Sequence, residues 1–116
     1  MKINFDKMPC VYWSDKMKVE WLQRFILLHS IIYYKLNDSC ISDKDFDIIS
    51  KQYIKMSKNL NQNELEGTMY YYCMYDFDGN TGFDAIERLN EEDYGRLLQM
   101  ANYILYKEKG ESKWYN

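Results

Sequence analysis

Histidine and cysteine, the residues that most often build metal centres and disulfide frameworks, are scarce in this 116-residue sequence. There is one histidine, His29, and there are three cysteines, Cys10, Cys40 and Cys73. The cysteines are odd in number and far apart, and none belongs to a Cys-x-x-Cys pair. This pattern excludes the usual structural zinc sites, and we expect neither a disulfide framework nor a bound metal. No base is placed to activate a cysteine, and no acid or thiol is placed to work with His29, so nucleophilic catalysis is not expected.

A long apolar segment is also missing. The longest apolar run covers residues 25–34, about ten residues interrupted by His29 and Ser30, which is too short to cross a bilayer. The first residues lack the apolar stretch of a signal peptide. Lysine outnumbers arginine 12 to 3, and asparagine, isoleucine and tyrosine are frequent, as AT-rich coding DNA produces. We therefore expect a cytoplasmic protein of a low-GC bacterium, or of a phage acting in the bacterial host cytoplasm.

Positive charge is not in excess. The chain has 15 Lys and Arg residues against 18 Asp and Glu residues, which gives a net charge of −3. No cluster of Lys and Arg is evident on one face of a predicted helix. Broad electrostatic binding to nucleic acid or to an anionic membrane is therefore not expected.

Aromatic residues, by contrast, are abundant. The chain contains 12 Tyr, 5 Phe and 3 Trp, while apolar residues make up 47% of it and charged residues 28%. A chain of this length and composition should fold as a single domain, 1–116, around one modest core. Tyrosine combines a flat apolar face with one hydroxyl and is common at contact sites. The composition therefore favours a binding protein.

The first half of the sequence predicts a helical hairpin at about 16–58. Apolar residues recur with helical spacing from Lys16 to Leu36, and Ser14 or Asp15 is suited to cap that helix. After a polar break, Ser42 and Asp45 form a capping-box pattern that opens a second helix running to about Lys58. The residues expected to face inward are Leu22, Phe25, Ile26, His29, Ile32, Tyr33 and Leu36 in the first helix, and Phe46, Ile49, Tyr53 and Met56 in the second.

The second half, 61–116, is also predicted to be helical. Residues 64–75 fit a helix, which we favour, although 69–75 has high strand propensity. A tight loop at 76–82 and a short helix should follow, and Asn90 with Asp93 should start a long helix that ends near Lys109, before Gly110. Residues 1–13, broken by Pro9, should form an arm across the core. The predicted fold is a small all-α bundle of four or five helices.

One segment resembles a known family. Residues 33–47 read Tyr-Tyr-Lys-Leu-Asn-Asp-Ser-Cys-Ile-Ser-Asp-Lys-Asp-Phe-Asp. This segment resembles the N-terminal helical subdomain of bacterial NAD-dependent DNA ligases. In that family a Tyr-Tyr or Tyr-His pair ends the first helix, and Ile-Ser/Pro-Asp-x-x-Tyr-Asp opens the second. The resemblance covers about 16–60.

The resemblance implies a ligand and a set of residues. In the family this subdomain binds the nicotinamide mononucleotide (NMN) half of NAD. Carried over position by position, the nucleotide-binding residues would be Tyr33, Tyr34, Asp43, Phe46 and Asp47. Aromatic faces can stack on the cationic nicotinamide ring, and carboxylates can accept hydrogen bonds from ribose hydroxyls. The other interpretation is that Tyr33 and Phe46 pack between the helices, while the acids favour the helix dipole.

The sequence departs from the family in two ways. Phe46 stands where the family has tyrosine, so one hydroxyl is missing. The Lys-x-Asp-Gly motif of nucleotidyl transfer is also absent, and its nearest match, Asp76-Phe77-Asp78-Gly79, has no lysine. We therefore expect no enzyme activity and no required cofactor, only binding of NAD, NMN or a related ADP-ribose compound.

The acidic loop at 76–87 allows two further hypotheses. Its oxygen-bearing side chains have the spacing of an EF-hand calcium loop, which would use Asp76, Asp78, Asn80, Asp84 and Glu87. However, Thr81 occupies the position where that loop needs glycine, so calcium is the weaker hypothesis. Alternatively, the chain is a phage or mobile-element inhibitor of a host enzyme, such as a defence nuclease of the CRISPR type. The candidate protein-contact residues are then Asp76, Phe77, Asp78, Asn80, Phe83, Asp84 and Glu87.

Overall fold

The computed structural model describes residues 12–109, and the only regular secondary structure in this part of the chain is helix. It contains six α-helices and no strand: α1 (Asp15–Lys35), α2 (Asp43–Ser57), α3 (Gln62–Glu66), α4 (Tyr71–Met74), α5 (Phe83–Arg88) and α6 (Glu91–Lys109). The predicted all-α class is confirmed, although there are six helices rather than four or five. The predictions for most of the N-terminal arm, for Cys10 and for Gly110 lie outside the described residues.

Helix α1 is the centre of the fold. Side chains around much of its circumference are fully buried, and α2, α5 and α6 all pack against it. Ser14 caps its first turn by accepting a hydrogen bond from the Met17 N–H at 3.2 Å. At its other end Asn37 adopts a left-handed conformation, with φ of 54°, which asparagine tolerates better than most residues. This residue ends α1 and turns the chain towards α2.

Helix α2 folds back along α1 to form the predicted hairpin. Ser42 accepts a hydrogen bond from the Asp45 N–H at 3.0 Å, as expected for the cap of this helix. Its stripe of Ile49 and Tyr53 is buried, and the amide of Gln23, in the first half of α1, donates to the Tyr53 hydroxyl at 3.4 Å. Because Gln23 lies in the first half of one helix and Tyr53 in the second half of the other, the two helices run antiparallel.

The ambiguous segment 64–75 is helical, as favoured, but a turn divides it. Helix α3 stops at Glu66, and α4 begins at Tyr71. Between them, Thr68 donates its hydroxyl proton to the Leu65 carbonyl at 2.7 Å, and the Tyr70 N–H donates to the buried Gln23 amide oxygen at 3.1 Å. The turn is therefore tied to α1, a long-range contact that local propensity does not contain.

The last two helices close the core. Asn90 accepts a hydrogen bond from the Asp93 N–H at 2.7 Å at the start of α6, as predicted. Leu97, Ala101 and Leu105 of α6 are buried against α1. In the described residues, no helix is both long enough and apolar enough to cross a membrane.

Tyr33 is the clearest error in the predicted core. We expected it on the inward face of α1, but its side chain is 55% exposed. After Tyr33, α1 continues for only two more residues, to Lys35, and the chain turns at Asn37, so this end of α1 extends past the elements that cover its middle. An aromatic ring at this end of the helix is left at the surface.

Candidate functional site

A cavity of about 270 Å³ lies where the end of α1 meets the start of α2. The loop that precedes α5 forms its third side. The residues that line it come from α1, the α1–α2 connection, the first turn of α2 and the loop 80–82: His29, Ser30, Tyr33, Tyr34, Ser39, Cys40, Ile41, Ser42, Asp43, Phe46, Asp47, Asn80, Thr81 and Gly82. All five residues predicted to bind the nucleotide are among them.

The two tyrosines form an aromatic wall at the mouth of the cavity. The Tyr33 and Tyr34 rings meet edge to face, with centroids 4.9 Å apart, and Tyr34 meets Phe83 in the same manner at 5.1 Å. The Tyr34 and Thr81 hydroxyls are hydrogen-bonded at 2.6 Å. These contacts hold Tyr34 in place, while the Tyr33 ring remains 55% exposed and available to a ligand.

The part of the lining that α2 contributes is acidic. Asp43 and Asp47 belong to the first turns of α2 and are exposed, and Phe46 lies half-buried between them. Asp47 forms a surface ion pair with Lys51 at 3.0 Å. The lining described above contains these two carboxylates but neither lysine nor arginine. The cavity therefore favours a cationic group over an anionic one.

Sequence reasoning missed two lining residues, His29 and Ser30. Both are buried, with 5% and 1% of their surface exposed, and neither the His29 Nδ1 nor the Ser30 Oγ has a hydrogen-bond partner. An unsatisfied buried polar atom costs about 1–3 kcal/mol, and both of these atoms are covered by the surrounding protein. The sequence did contain a signal that could have identified them, because these two polar residues interrupt the apolar run 25–34.

The imidazole of His29 is neutral at physiological pH. Burial lowers the pKa of His29 to about 4, because the charged ring would lose its hydration. Its ring also packs against Phe25, with centroids 4.3 Å apart. A neutral imidazole has one nitrogen that donates and one that accepts, so His29 adds no charge to the cavity.

Gly82 allows the loop 80–82, which precedes α5, to pack closely against α1. A Cβ atom at this position would lie 2.1 Å from the Ser30 Oγ and 2.9 Å from the Ser30 Cβ. Any residue larger than glycine would push the loop away from α1, so this contact determines the size of the cavity on that side.

Cys40 and Asp43 line the same cavity as His29. No hydrogen bond between these three side chains is recorded in the described part of the chain. Burial raises the pKa of the Cys40 thiol, so it stays protonated and a poor nucleophile. The arrangement does not activate the thiol.

The oxygen-bearing side chains of the acidic loop 76–87 do not converge on one point. Arg88 binds Asp76 through two hydrogen bonds of 2.6 and 2.9 Å and lowers the pKa of that carboxyl, while Lys35 pairs with Glu87 at 2.5 Å. Within residues 12–109, no group of three or more His, Cys, Asp or Glu side chains is arranged to hold a metal ion. The positive φ occurs at Gly79, not at Thr81. These features do not favour the calcium hypothesis.

The candidate protein-contact residues of this loop point in different directions. Phe77 packs inward against Tyr53, with centroids 5.9 Å apart, whereas Phe83 is 43% exposed beside Tyr34. Asp78 accepts two hydrogen bonds from Asn80, and Asp84 is exposed in the first turn of α5. Of the seven candidates, Asn80 lines the cavity.

A shallower groove of about 350 Å³ adjoins the cavity along the outer face of α2. We call it the lysine groove, because Lys51, Lys55 and Lys58 line it together with Asp47, Ile54 and residues 78–80. The expectation that no helix face carries a cluster of basic residues is therefore wrong. The three lysines are spaced i, i+4 and i+7, which places them on one side of the helix.

Comparisons with protein-family models, with curated proteins and with solved structures gave no match to this chain. The ligase resemblance therefore depends on the segment 33–47 and its loose continuation over 16–60.

Proposed function

We propose that this chain is a non-catalytic binding protein whose ligand is a nicotinamide nucleotide: NMN, the NMN half of NAD, or a related ADP-ribose compound. The observation that carries this proposal is that the five residues of the ligase-like pattern, Tyr33, Tyr34, Asp43, Phe46 and Asp47, line one open cavity. We further propose that it acts in the bacterial cytoplasm, where these nucleotides occur.

The mouth of the cavity suits a flat cationic ring. Tyr33 presents an exposed aromatic ring, and a cation near its face is stabilised by the ring quadrupole. Asp43 and Asp47 line the same cavity and complement the same charge. Their carboxylate oxygens can also accept hydrogen bonds from ribose hydroxyls, which are donors of the right kind.

The charge of the cavity favours nicotinamide over nicotinic acid. The lining carries two carboxylates and neither lysine nor arginine, and the neutral His29 adds no positive charge. The additional carboxylate of nicotinic acid would be repelled by the two carboxylates, whereas the uncharged carboxamide of nicotinamide would not be.

The size of the cavity favours modest affinity, and the residues present favour binding without reaction. Its volume of about 270 Å³ lies just below the ~300–1,000 Å³ of typical small-molecule sites, so it holds one nucleotide half rather than a dinucleotide. The sequence lacks the Lys-x-Asp-Gly motif, and the Cys40 thiol is not activated. We therefore propose neither nucleotidyl transfer nor a required cofactor.

Thermal unfolding with increasing NMN and NAD tests this function. A saturating ligand should raise the Tm by roughly 5 °C, and the rise should disappear in a Tyr33→Ala/Asp47→Ala variant. The matched control is Tyr106→Ala/Glu91→Ala, which removes an exposed tyrosine and an exposed acid from α6 and should keep the full rise. No rise in the unaltered protein at millimolar nucleotide would rule out this function.

The second candidate function is inhibition of a host enzyme by direct contact, as a phage or mobile-element protein would achieve. The supporting observation is that Tyr33, Tyr34 and Phe83 form a contiguous exposed aromatic cluster, next to the exposed Asp84. Such an inhibitor should ignore nucleotides and co-purify from its host with a larger protein. A Phe83→Ala substitution should weaken that association.

A further inference from the structure

The cavity lacks a group to receive the phosphate of a nucleotide. Its lining carries Asp43 and Asp47, and the described lining includes no lysine or arginine. A phosphate held beside two carboxylates would be repelled by both. A nicotinamide nucleotide bound in the cavity must therefore direct its phosphate outward.

The lysine groove adjoins the cavity, so a phosphate directed out of the cavity can enter the groove. The cavity and the groove share two lining residues, Asp47 and Asn80, so one surface continues into the other. From Asp47 to Lys58 the groove follows α2 for about 16 Å, at 1.5 Å per residue. This length exceeds what a single phosphate needs.

The charge of the groove is opposite to that of the cavity. It contains three ammonium groups and two carboxylates. Asp47 is paired with Lys51 at 3.0 Å, and both carboxylate oxygens of Asp78 accept hydrogen bonds from Asn80, at 3.0 and 3.1 Å. Among residues 12–109, neither Lys55 nor Lys58 has an ion-pair partner. These two ammonium groups are the cations available to an anion.

We propose that the lysine groove binds the phosphate groups of the ligand whose nicotinamide end occupies the cavity, so that the preferred ligand is the dinucleotide NAD. This inference rests on the proposed function. Lysine binds phosphate as a point charge with three N–H donors. Lys55 and Lys58 contact the diphosphate, and Lys51 exchanges its ion pair with Asp47 for the nearer phosphate.

Isothermal titration calorimetry with three ligands tests the inference. Nicotinamide riboside has no phosphate, NMN has one, and NAD has two. At low ionic strength the affinity should rise in that order, and added salt should reduce the differences. In a Lys55→Gln/Lys58→Gln variant, NAD should bind roughly three- to tenfold more weakly, while the affinity for nicotinamide riboside should not change.

A matched variant controls for the loss of charge. Lys18→Gln/Lys107→Gln removes two lysines that line neither the cavity nor the groove, and it should bind all three ligands as the unaltered protein does. Equal binding of the three ligands, or an unchanged NAD affinity in the Lys55→Gln/Lys58→Gln variant, overturns the lysine groove and leaves the cavity in place. Binding of none of the three overturns both proposals.

Discussion

At the scale of single residues, the unusual feature is a pair of polar side chains inside an apolar helix. His29 and Ser30 interrupt the most apolar run of the chain, yet both are buried in α1 beside the cavity. A chain selected only for stability would gain by replacing them with apolar residues, because neither atom has a partner. The Ser50 Oγ of α2, which does not line the cavity, is buried without a partner in the same way, and Gly82 packs directly on Ser30.

His29 predicts a specific pH dependence of stability. Its pKa is lowered from 6.5 to about 4 in the folded protein, mainly by burial. Above pH 6.5 the ring is neutral in both states and contributes nothing to the pH dependence. As the pH falls from 6.5 to 4, the unfolded chain binds a proton that the folded chain does not, so the free energy of unfolding should drop by roughly 3 kcal/mol.

Urea unfolding at pH 7 and pH 4.5 measures this drop. His29 is the only histidine, so a His29→Gln variant should lose most of the slope in this window. The carboxyl of Asp76, whose pKa is lowered by Arg88, titrates below the window and does not interfere. A slope of equal size in the variant would contradict the assignment to His29.

At the scale of elements, α1 organises the fold through one buried polar side chain as well as through its apolar surface. Gln23 is fully buried and joins three elements. Its amide donates to the Thr68 hydroxyl at 2.8 Å and to the Tyr53 hydroxyl at 3.4 Å, and its carbonyl accepts from the Tyr70 N–H at 3.1 Å. These bonds hold the turn between α3 and α4 in place.

Removal of this amide should be costly. A Gln23→Leu substitution keeps much of the volume but leaves the Tyr70 N–H without a partner and removes the bonds to the Thr68 and Tyr53 hydroxyls, so the free energy of unfolding should fall by about 2–4 kcal/mol. Gln99→Leu on the exposed face of α6 is the control and should change stability by less than about 0.5 kcal/mol. Chemical denaturation measures both. Similar values for the two variants would show that the Gln23 bonds contribute little.

At the scale of the whole molecule, the described helices share one hydrophobic core. Fully buried side chains from α1, α2, α4, α5 and α6 belong to a single cluster, whereas α3 contributes no buried residue. Because α1 contacts α2, α5 and α6, we expect these helices to depend on it for their stability. The helices should therefore unfold together, with only the end of α3 fraying earlier.

Equilibrium unfolding followed by two probes tests this cooperativity. Circular dichroism at 222 nm and tryptophan fluorescence should give coincident transitions. An Ile31→Ala substitution in the fully buried face of α1 should lower both midpoints together, at a cost of about 2–5 kcal/mol. Transitions that separate, in either protein, would indicate two independently folding parts.

Local sequence patterns predicted the helices and their caps, but not the features that depend on contacts with other helices. The caps at Ser14, Ser42 and Asn90 lie where the sequence indicated, because a cap depends on residues three positions away. The turn that divides 64–75 was not predicted, because the buried Gln23 of α1 ties it down. Tyr33 was predicted to face inward, because helical periodicity does not show where the covering helices end.

The residues of the candidate site likewise fall into those that the sequence pattern named and those that it did not. The sequence pattern named Tyr33, Tyr34, Asp43, Phe46 and Asp47, which are brought to one cavity by a connection of only seven residues between α1 and α2. That they bind a nucleotide stays a prediction. His29, Ser30 and Gly82 were not recognised as part of the site, because residues 30 and 82 meet only after the α5 loop packs on α1. The lysine groove was missed because Lys51, Lys55 and Lys58 are ordinary residues of an exposed helix face until the loop 78–80 lies beside them.

The sequence by itself determined the helical class, the hairpin of α1 and α2, and the short-range caps, since these follow from periodicity and from contacts within one turn. The tertiary structure alone decided that a cavity exists, that two unpartnered polar atoms lie beside it, and that a basic groove continues from an acidic mouth. The physical reason is distance along the chain: the cavity joins residues near 30, near 43 and near 81, and packing, not any local preference, brings those three segments together.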